Sequence, residues 1–265
     1  MLRRLGLRTV AVGYLVVILL APIAMVFYTT FQSGLAPVWQ TLSDPATVHA
    51  FEVTLIATAI AVPLNTVFGI LCGLAIVRRR FRGKGLLNAF IDLPLAVSPV
   101  VIGLALFLLY SPRTGWFGNW LATHGFQVLF ALPAIVLATI FVSVPFVARE
   151  VIPTLRELGH EQEQAAATLG ASRWQRFWRI TLPSIRWAVI YGVVLTTARC
   201  LGEYGAVAVV SGRIVDKTET ATTLVDDLTQ NFDTAGAYAV SLVLATIAVL
   251  VLVAMTLIKP REEAR

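Results

Sequence analysis

Charge is what this chain has least of. Only 14% of its 265 residues are Asp, Glu, Lys or Arg and 57% are hydrophobic, whereas soluble domains carry about 25% charged residues. A fold with a fully solvated surface is excluded, and the composition is that of a chain embedded in lipid. Cysteine is nearly absent too. Cys72 and Cys200 both fall in apolar runs, which excludes a disulfide framework and reads as two buried thiols. The three histidines, His49, His124 and His160, are scattered with no metal-ligand spacing. No G-x-x-x-x-G-K-[ST] loop occurs, so ATP is not bound by that means. No Ser, His and acid grouping shares one face, and catalysis is not expected of this chain. Long internal repeats and low-complexity tracts are missing as well.

What is present is length in apolar runs. A membrane-spanning helix needs about 20 apolar residues, and six runs qualify, at about 9–31, 52–77, 88–110, 128–148, 186–210 and 236–258. The fold class is therefore an all-α membrane protein with six spans in a single domain. Pro22, Pro63, Pro94, Pro99, Pro133 and Pro145 fall inside these runs, where neighbouring helices can satisfy the freed carbonyls. Arg3 and Arg4 before the first run resemble a secretory signal. The run is too long for a signal core, however, and no A-x-A site follows, so it is expected to stay as an anchor.

Charge distribution sets the topology. Of the 21 Lys and Arg, 17 lie in the segments 1–8, 78–84, 149–186 and 259–265. The alternate segments, roughly 32–51, 111–127 and 211–235, hold only Arg113, Arg213 and Lys217, and Arg199 lies within a span. The positive-inside rule then places both termini and the 149–185 loop in the cytoplasm. The net charge of +6 thus reports orientation in a bilayer, and no nucleic-acid partner is expected. None of the outer loops is long enough to fold alone. The Gly115-Trp116-Phe117-Gly118-Asn119-Trp120 segment suits a short interfacial helix, and 218–232 suits a short outer helix bearing Asp226 and Asp227.

One polar island is built unlike a loop. From Glu163 to Pro183 it reads E-Q-A-A-A-T-L-G-A-S-R-W-Q-R-F-W-R-I-T-L-P. Residues from about Leu158 to Thr168 favour helix, and Ala165, Ala166 and Ala167 give it a small-residue surface that fits a partner's groove. Gly170 suits a left-handed cap. Ser172 with Gln175 three residues on is a capping-box signature for a second helix. That helix sets Trp174, Phe177, Trp178 and Thr181 on one side and Arg173, Arg176 and Arg179 on another, as a membrane-surface helix does. Pro183 is expected to break the segment before the next span.

These spacings resemble the cytoplasmic coupling loop of bacterial ABC importer permeases: E-A-A, three residues, Gly, nine residues, then I-x-L-P. Gln164, Ala165, Ala166, Gly170, Ile180, Leu182 and Pro183 occupy the positions, with Gln164 where the family has Glu and Glu163 one place earlier. The resemblance implies a type I permease fold in a bacterial cytoplasmic (inner) membrane, with these residues coupling it to ATPases. The departure at Gln164 leaves two possibilities: a weaker contact with the ATPase, or Glu163 as its supplier. Within the family the chain is most similar to the W-type subunit of sulfate/thiosulfate permeases. Three stretches carry that likeness: F-I-D-L-P-L-A-V-S-P-V-V (90–101), V-P-F-V-A-R-E-V-I-P (144–153) and A-R-C-L-G-E-Y-G-A-V-A-V-V-S-G (198–212). Molybdate permeases share a version of the last, which keeps molybdate or tungstate as an alternative cargo. The implied partners are a homologous T-type permease forming a heterodimer, two ATPase subunits that carry ATP and Mg, and an extracytoplasmic sulfate-binding protein. A rival of another class is an ATPase-independent anion channel or carrier, which would show inverted repeats and broken helices.

Charged residues inside spans are costly and commonly functional. Arg199 and Glu203 stand at i and i+4, so one helical face is expected to carry both. Two readings stand, an ion pair that fixes packing and a substrate pathway or gate in which the Arg199 guanidinium meets a tetrahedral anion. Gly202 and Gly205 are expected to let another helix approach. Ser98 and Thr196 are candidates to offer hydroxyls to a passing anion. Asp92, at the start of the third span, is expected to cap it or pair with a basic neighbour, and Asn65 to make an interhelical hydrogen bond.

Overall fold

The computed structural model describes residues 2–32 and 34–258; Lys259, Arg261 and Arg265, used above for orientation, lie outside them. The described residues hold helices and no strand. In chain order the helices are α1 (Leu2–Gln32), α2 (Leu35–Ser43), α3 (Pro45–Arg78), α4 (Lys84–Ala96), α5 (Pro99–Tyr110), α6 (Gly118–Thr123) and α7 (Leu132–Glu157). There follow α8 (Glu161–Thr168), α9 (Arg173–Arg176) with a π-turn at Phe177–Thr181, α10 (Leu182–Leu201), α11 (Gly205–Val210), α12 (Ala221–Gln230) and α13 (Thr234–Ile258). Four helical stretches are long and apolar enough to cross a membrane, and the bent pairs α1–α2 and α4–α5 bring the number to as many as six.

Several expected boundaries move, each for a local reason. The second span starts not at 52 but at Pro45, which occupies the first turn where its missing N–H costs nothing. The fourth apolar run does not end with its helix. α7 continues to Glu157 and carries Pro145 and Pro153 within it, so the expected loop from 149 begins as helix. The third span is not one helix. α4 and α5 meet at 111°, because Ser98 precedes Pro99 and takes an extended ψ of 136°, as the ring of a following proline demands. The fifth span also breaks, after Leu201. The short helices expected near Trp116–Trp120 and over 218–232 form as α6 and α12.

The core lies where α3 and α7 run together, with α10 against α7. Without water between helices in a bilayer, close van der Waals packing of small residues holds them. A Cβ added at Gly69 would lie 2.7 Å from the Val147 Cβ, and one at Gly192 would lie 2.8 Å from the Val147 Cα. Both α3 and α10 therefore touch α7 at one residue. Val147, Val151, Leu155 and Ile185 are fully buried there. Asn65 supplies the polar fastener: its Nδ2 donates to the Ile140 carbonyl at 3.1 Å and to the Ser143 Oγ at 2.7 Å. Farther along, α5 and α11 pack into a second cluster that includes Val53, Ile102, Ile135, Val142, Val207 and Val210.

Candidate functional site

The stretch from Glu161 to Pro183 is ordered by its own caps. α8 ends in a Schellman arrangement: the Ala171 N–H donates to the Ala166 carbonyl at 3.0 Å and the Gly170 N–H to the Ala167 carbonyl at 3.1 Å. Gly170 has φ +85°, a conformation that costs a residue with a Cβ about 1–2 kcal/mol. Next, the Gln175 N–H donates to the Ser172 Oγ at 3.2 Å and the Ser172 N–H to the Gln175 Oε1 at 2.8 Å. The capping box expected there is thus complete. Ala165, Ala167 and Gly170 are exposed, together with Leu169 at 88%. Leu169 was not singled out by sequence; its apolar chain beside the alanines was the available signal.

Pro183 does not break the segment. It lacks an N–H and its ring would crowd the carbonyl four residues back. The helix widens instead into the π-turn at Phe177–Thr181, in which the Leu182 N–H reaches the Phe177 carbonyl. Helix therefore runs continuously from Arg173 to Leu201. Leu182 packs against the buried cluster of α7 and α10, Ile180 is half-buried, and Pro183 is exposed.

Glu163 and Gln164 part company. The Glu163 carboxylate is 3.1 Å from the Arg78 Nη2 at the end of α3, and its Oε1 accepts a hydrogen bond from the buried Thr181 hydroxyl at 2.9 Å. One carboxylate thus ties α8 to α3 and to the π-turn. Gln164, next in sequence, is exposed. Glu163 is thus occupied within its own chain, and of the two residues Gln164 is the one left facing outward. Asp92 pairs with Arg149, joining α4 to α7.

At the other end of α10 the two helix breaks meet. A Cβ on Gly205 would lie 3.0 Å from Pro99, and one on Gly103 would lie 2.7 Å from the Ala206 carbonyl. Gly202 makes no such approach; its nearest neighbour would be the Ala198 carbonyl at 3.7 Å. Glu203 does not share a helical face with Arg199, because α10 has ended at Leu201. The ion pair forms across the break all the same, with Arg199 Nη2 to Glu203 Oε2 at 2.6 Å, Arg199 30% exposed and Glu203 2%. The other oxygen, Glu203 Oε1, accepts the Ala206 N–H at 2.9 Å, and the Thr222 hydroxyl donates to the Glu203 carbonyl at 2.7 Å. A buried carboxylate so held organises the break, while the Arg199 side chain stays partly exposed.

Of the hydroxyls, Ser98 is exposed at the α4–α5 bend, beside the same break. Thr196 is fully buried and donates to the Gly192 carbonyl at 2.7 Å. It lies on the face of α10 that carries Gly192 and Cys200 into α7, so it is not available to a passing anion.

Sequence reasoning missed the network just beyond the break. Arg213 donates through Nη1 to Asp226 Oδ2 at 2.6 Å and to Asp227 Oδ1 at 3.0 Å, and through Nη2 to the Tyr204 hydroxyl at 2.8 Å. Tyr204 in turn donates to Asp226 at 2.8 Å. That bond, with those from Arg213 and Gln230, holds the Asp226 carboxyl below its ordinary range. Glu219 lies nearby, and burial beside Asp227 pushes its carboxyl up from 4.5 to about 7. The available signal was the one arginine of an outer segment otherwise rich in carboxylates, Asp216, Glu219, Asp226, Asp227 and Asp233. Among the described residues no His, Cys, Asp and Glu group has metal-holding geometry.

Comparison with known proteins agrees with this architecture. Residues 65–263 match the family model described as the binding-protein-dependent transport system inner membrane component. The sulfate transport system permease protein CysW of Synechocystis is 48% identical over 95% of this chain and 91% of its own length. CysW of Escherichia coli K12 is 44% identical over 96% and 88%, and CysT of the same organism 38% over 94% and 89%. A bacterial ABC transporter that imports the acidic polysaccharide alginate superposes with TM-score 0.79 at 18% identity, covering 95% of this chain and 92% of that one. At that identity the likeness speaks for the fold alone. The chain belongs to the family of binding-protein-dependent transport system inner membrane components, the multi-pass permease subunits of ABC importers.

Proposed function

We propose that this chain is the W-type permease subunit of a sulfate/thiosulfate ABC importer, forming half of the translocation pathway and carrying the coupling element for its ATPases. The observation that carries the reading is identity of 44–48% with W-type sulfate permeases along nearly the whole chain, above the 38% with the T-type. The capped, alanine-faced α8 with Gly170 at its turn supports the coupling role. The T-type relative points to a second permease as heterodimeric partner. A solved relative in complex with a ligand-bound periplasmic protein supports delivery by an extracytoplasmic binding protein. ATP and Mg belong to two ATPase subunits, each receiving one coupling helix. The density of Arg in 149–186 puts that helix in the cytoplasm. ATP binding draws the coupling helices together and opens the pathway outward, and hydrolysis returns it. Such coupling requires contacts that differ between the two states.

Labelled sulfate uptake in cells lacking this chain, with and without its restoration, tests the reading. Uptake that returns with the chain and is blocked by excess thiosulfate but little by molybdate is the expected outcome. Blockage by molybdate alone moves the cargo to molybdate or tungstate. Restored uptake that persists without ATP favours an ATPase-independent carrier.

A further inference from the structure

α10 has a second cationic feature at the end remote from Glu203. Gln162, Arg179, Ile180, Pro183, Ser184, Arg186 and Trp187 line a wide, open surface cavity of about 520 Å³. Arg179 and Arg186 are both exposed, and neither makes an ion pair among the described residues. Both guanidiniums line the same cavity and are free to meet an anion there. Arg186 lies over the Trp187 ring, 5.2 Å from its centroid, and Trp187 is 39% exposed. Just before them in sequence, Trp174, Phe177 and Trp178 form an aromatic cluster with ring centroids 5.3–6.2 Å apart, Trp178 meeting both of the others edge-to-face. Trp174 is 69% exposed and Trp178 50%.

Large aromatic surface left uncovered beside free arginines, where a spanning helix begins, matches the headgroup depth of a bilayer. Tryptophan rings settle there, and Arg reaches the phosphates. The Ser184 hydroxyl is already spent on the Ile180 carbonyl at 2.7 Å, so the recognition falls to the two guanidiniums, whose forked donors fit a phosphate. We propose that this cavity seats the phosphate of an anionic phospholipid, anchored by Arg179 and Arg186 and flanked by Trp187. The bound lipid fixes the depth at which the π-turn, and with it α8, meets the membrane surface. The proposal needs only a membrane-embedded chain, so it stands or falls separately from the choice of cargo.

The full-length chain is placed in discs of phosphatidylcholine mixed equally with phosphatidylglycerol, and the lipid retained on detergent extraction is quantified by native mass spectrometry. The wild type retains phosphatidylglycerol over phosphatidylcholine. The double variant Arg179→Gln/Arg186→Gln loses about thirtyfold of that enrichment, the scale expected of two cations at headgroup depth, and Arg179→Lys/Arg186→Lys keeps only part of it, because an ammonium lacks the fork. Equal enrichment in the wild type and the Gln variant overturns the proposal. So does displacement of the lipid by excess inorganic phosphate, which would make a free anion the occupant, and so does loss of the lipid whenever ATPase subunits are bound, which would make the cavity a protein interface. If the Gln variant does not fold, the wild type decides alone: no preferential phosphatidylglycerol adduct, no site.

Discussion

Glu163 and Gln164 are adjacent acid-like residues with opposite surroundings. On a helix, successive side chains point about 100° apart, so when Glu163 turns toward Arg78 and Thr181, Gln164 faces out. Hydrogen bonds to charged groups contribute about 1.5–3 kcal/mol, and here they fasten α8 to the body of the protein. Glu163→Gln should therefore weaken transmission rather than docking: sulfate uptake falls about tenfold or more while ATP hydrolysis by the assembled importer continues. Gln164→Ala should change uptake little. Paired uptake and hydrolysis measurements decide, and hydrolysis that falls in step with uptake would make Glu163 an ATPase contact instead. At this scale the local devices were readable beforehand. The Gly170 turn, the Ser172–Gln175 box and the bond from Asn65 each depend on residues a few places apart or on one polar group in an apolar run. The partner of Glu163 was not readable, because Arg78 is 85 residues away in sequence.

At the scale of elements, composition located the apolar runs but not their breaks. The runs 88–110 and 186–210 look continuous, since an apolar residue count is blind to the extended ψ that Pro99 imposes on Ser98 and to the helix end at Leu201. Broken helices were expected of an ion-driven carrier; finding them here shows that they do not separate that class from an ABC permease. The segment from Tyr204 to Gln230 clamps the second break from outside, and one of its groups is tuned. Glu219 is buried, and its carboxyl is pushed from 4.5 to about 7 by burial and by Asp227. A carboxyl raised in the folded state binds its proton more tightly there than when unfolded. Its stabilising contribution is thus full below about 4.5 and is lost as pH rises through about 7. Thermal unfolding of the purified chain should show its midpoint falling across that window, and Glu219→Gln should flatten the dependence. An unchanged slope in the variant would assign the pH effect elsewhere.

At the scale of the whole molecule, orientation gives a direct test. Cys72 and Cys200 are buried, so native thiols stay silent toward a membrane-impermeant maleimide. A cysteine at exposed Asn231 should label from outside intact cells, and one at exposed Arg173 only after the membrane is opened; the reverse pattern would invert the topology. The sequence by itself determined the all-helical membrane class, the number of apolar runs, the charge asymmetry and the caps of the 161–183 segment. All of these follow from composition, period and neighbours along the chain. Only the tertiary structure decided that Pro183 is absorbed by a π-turn, that Thr196 is sealed against α7, and that the breaks after Ala96 and Leu201 face each other beside the Arg199–Glu203 pair. The reason is physical. With lipid as solvent, burial no longer distinguishes inside from outside, and which small residues let two backbones touch is settled by distant partners such as Val147 rather than by any local pattern.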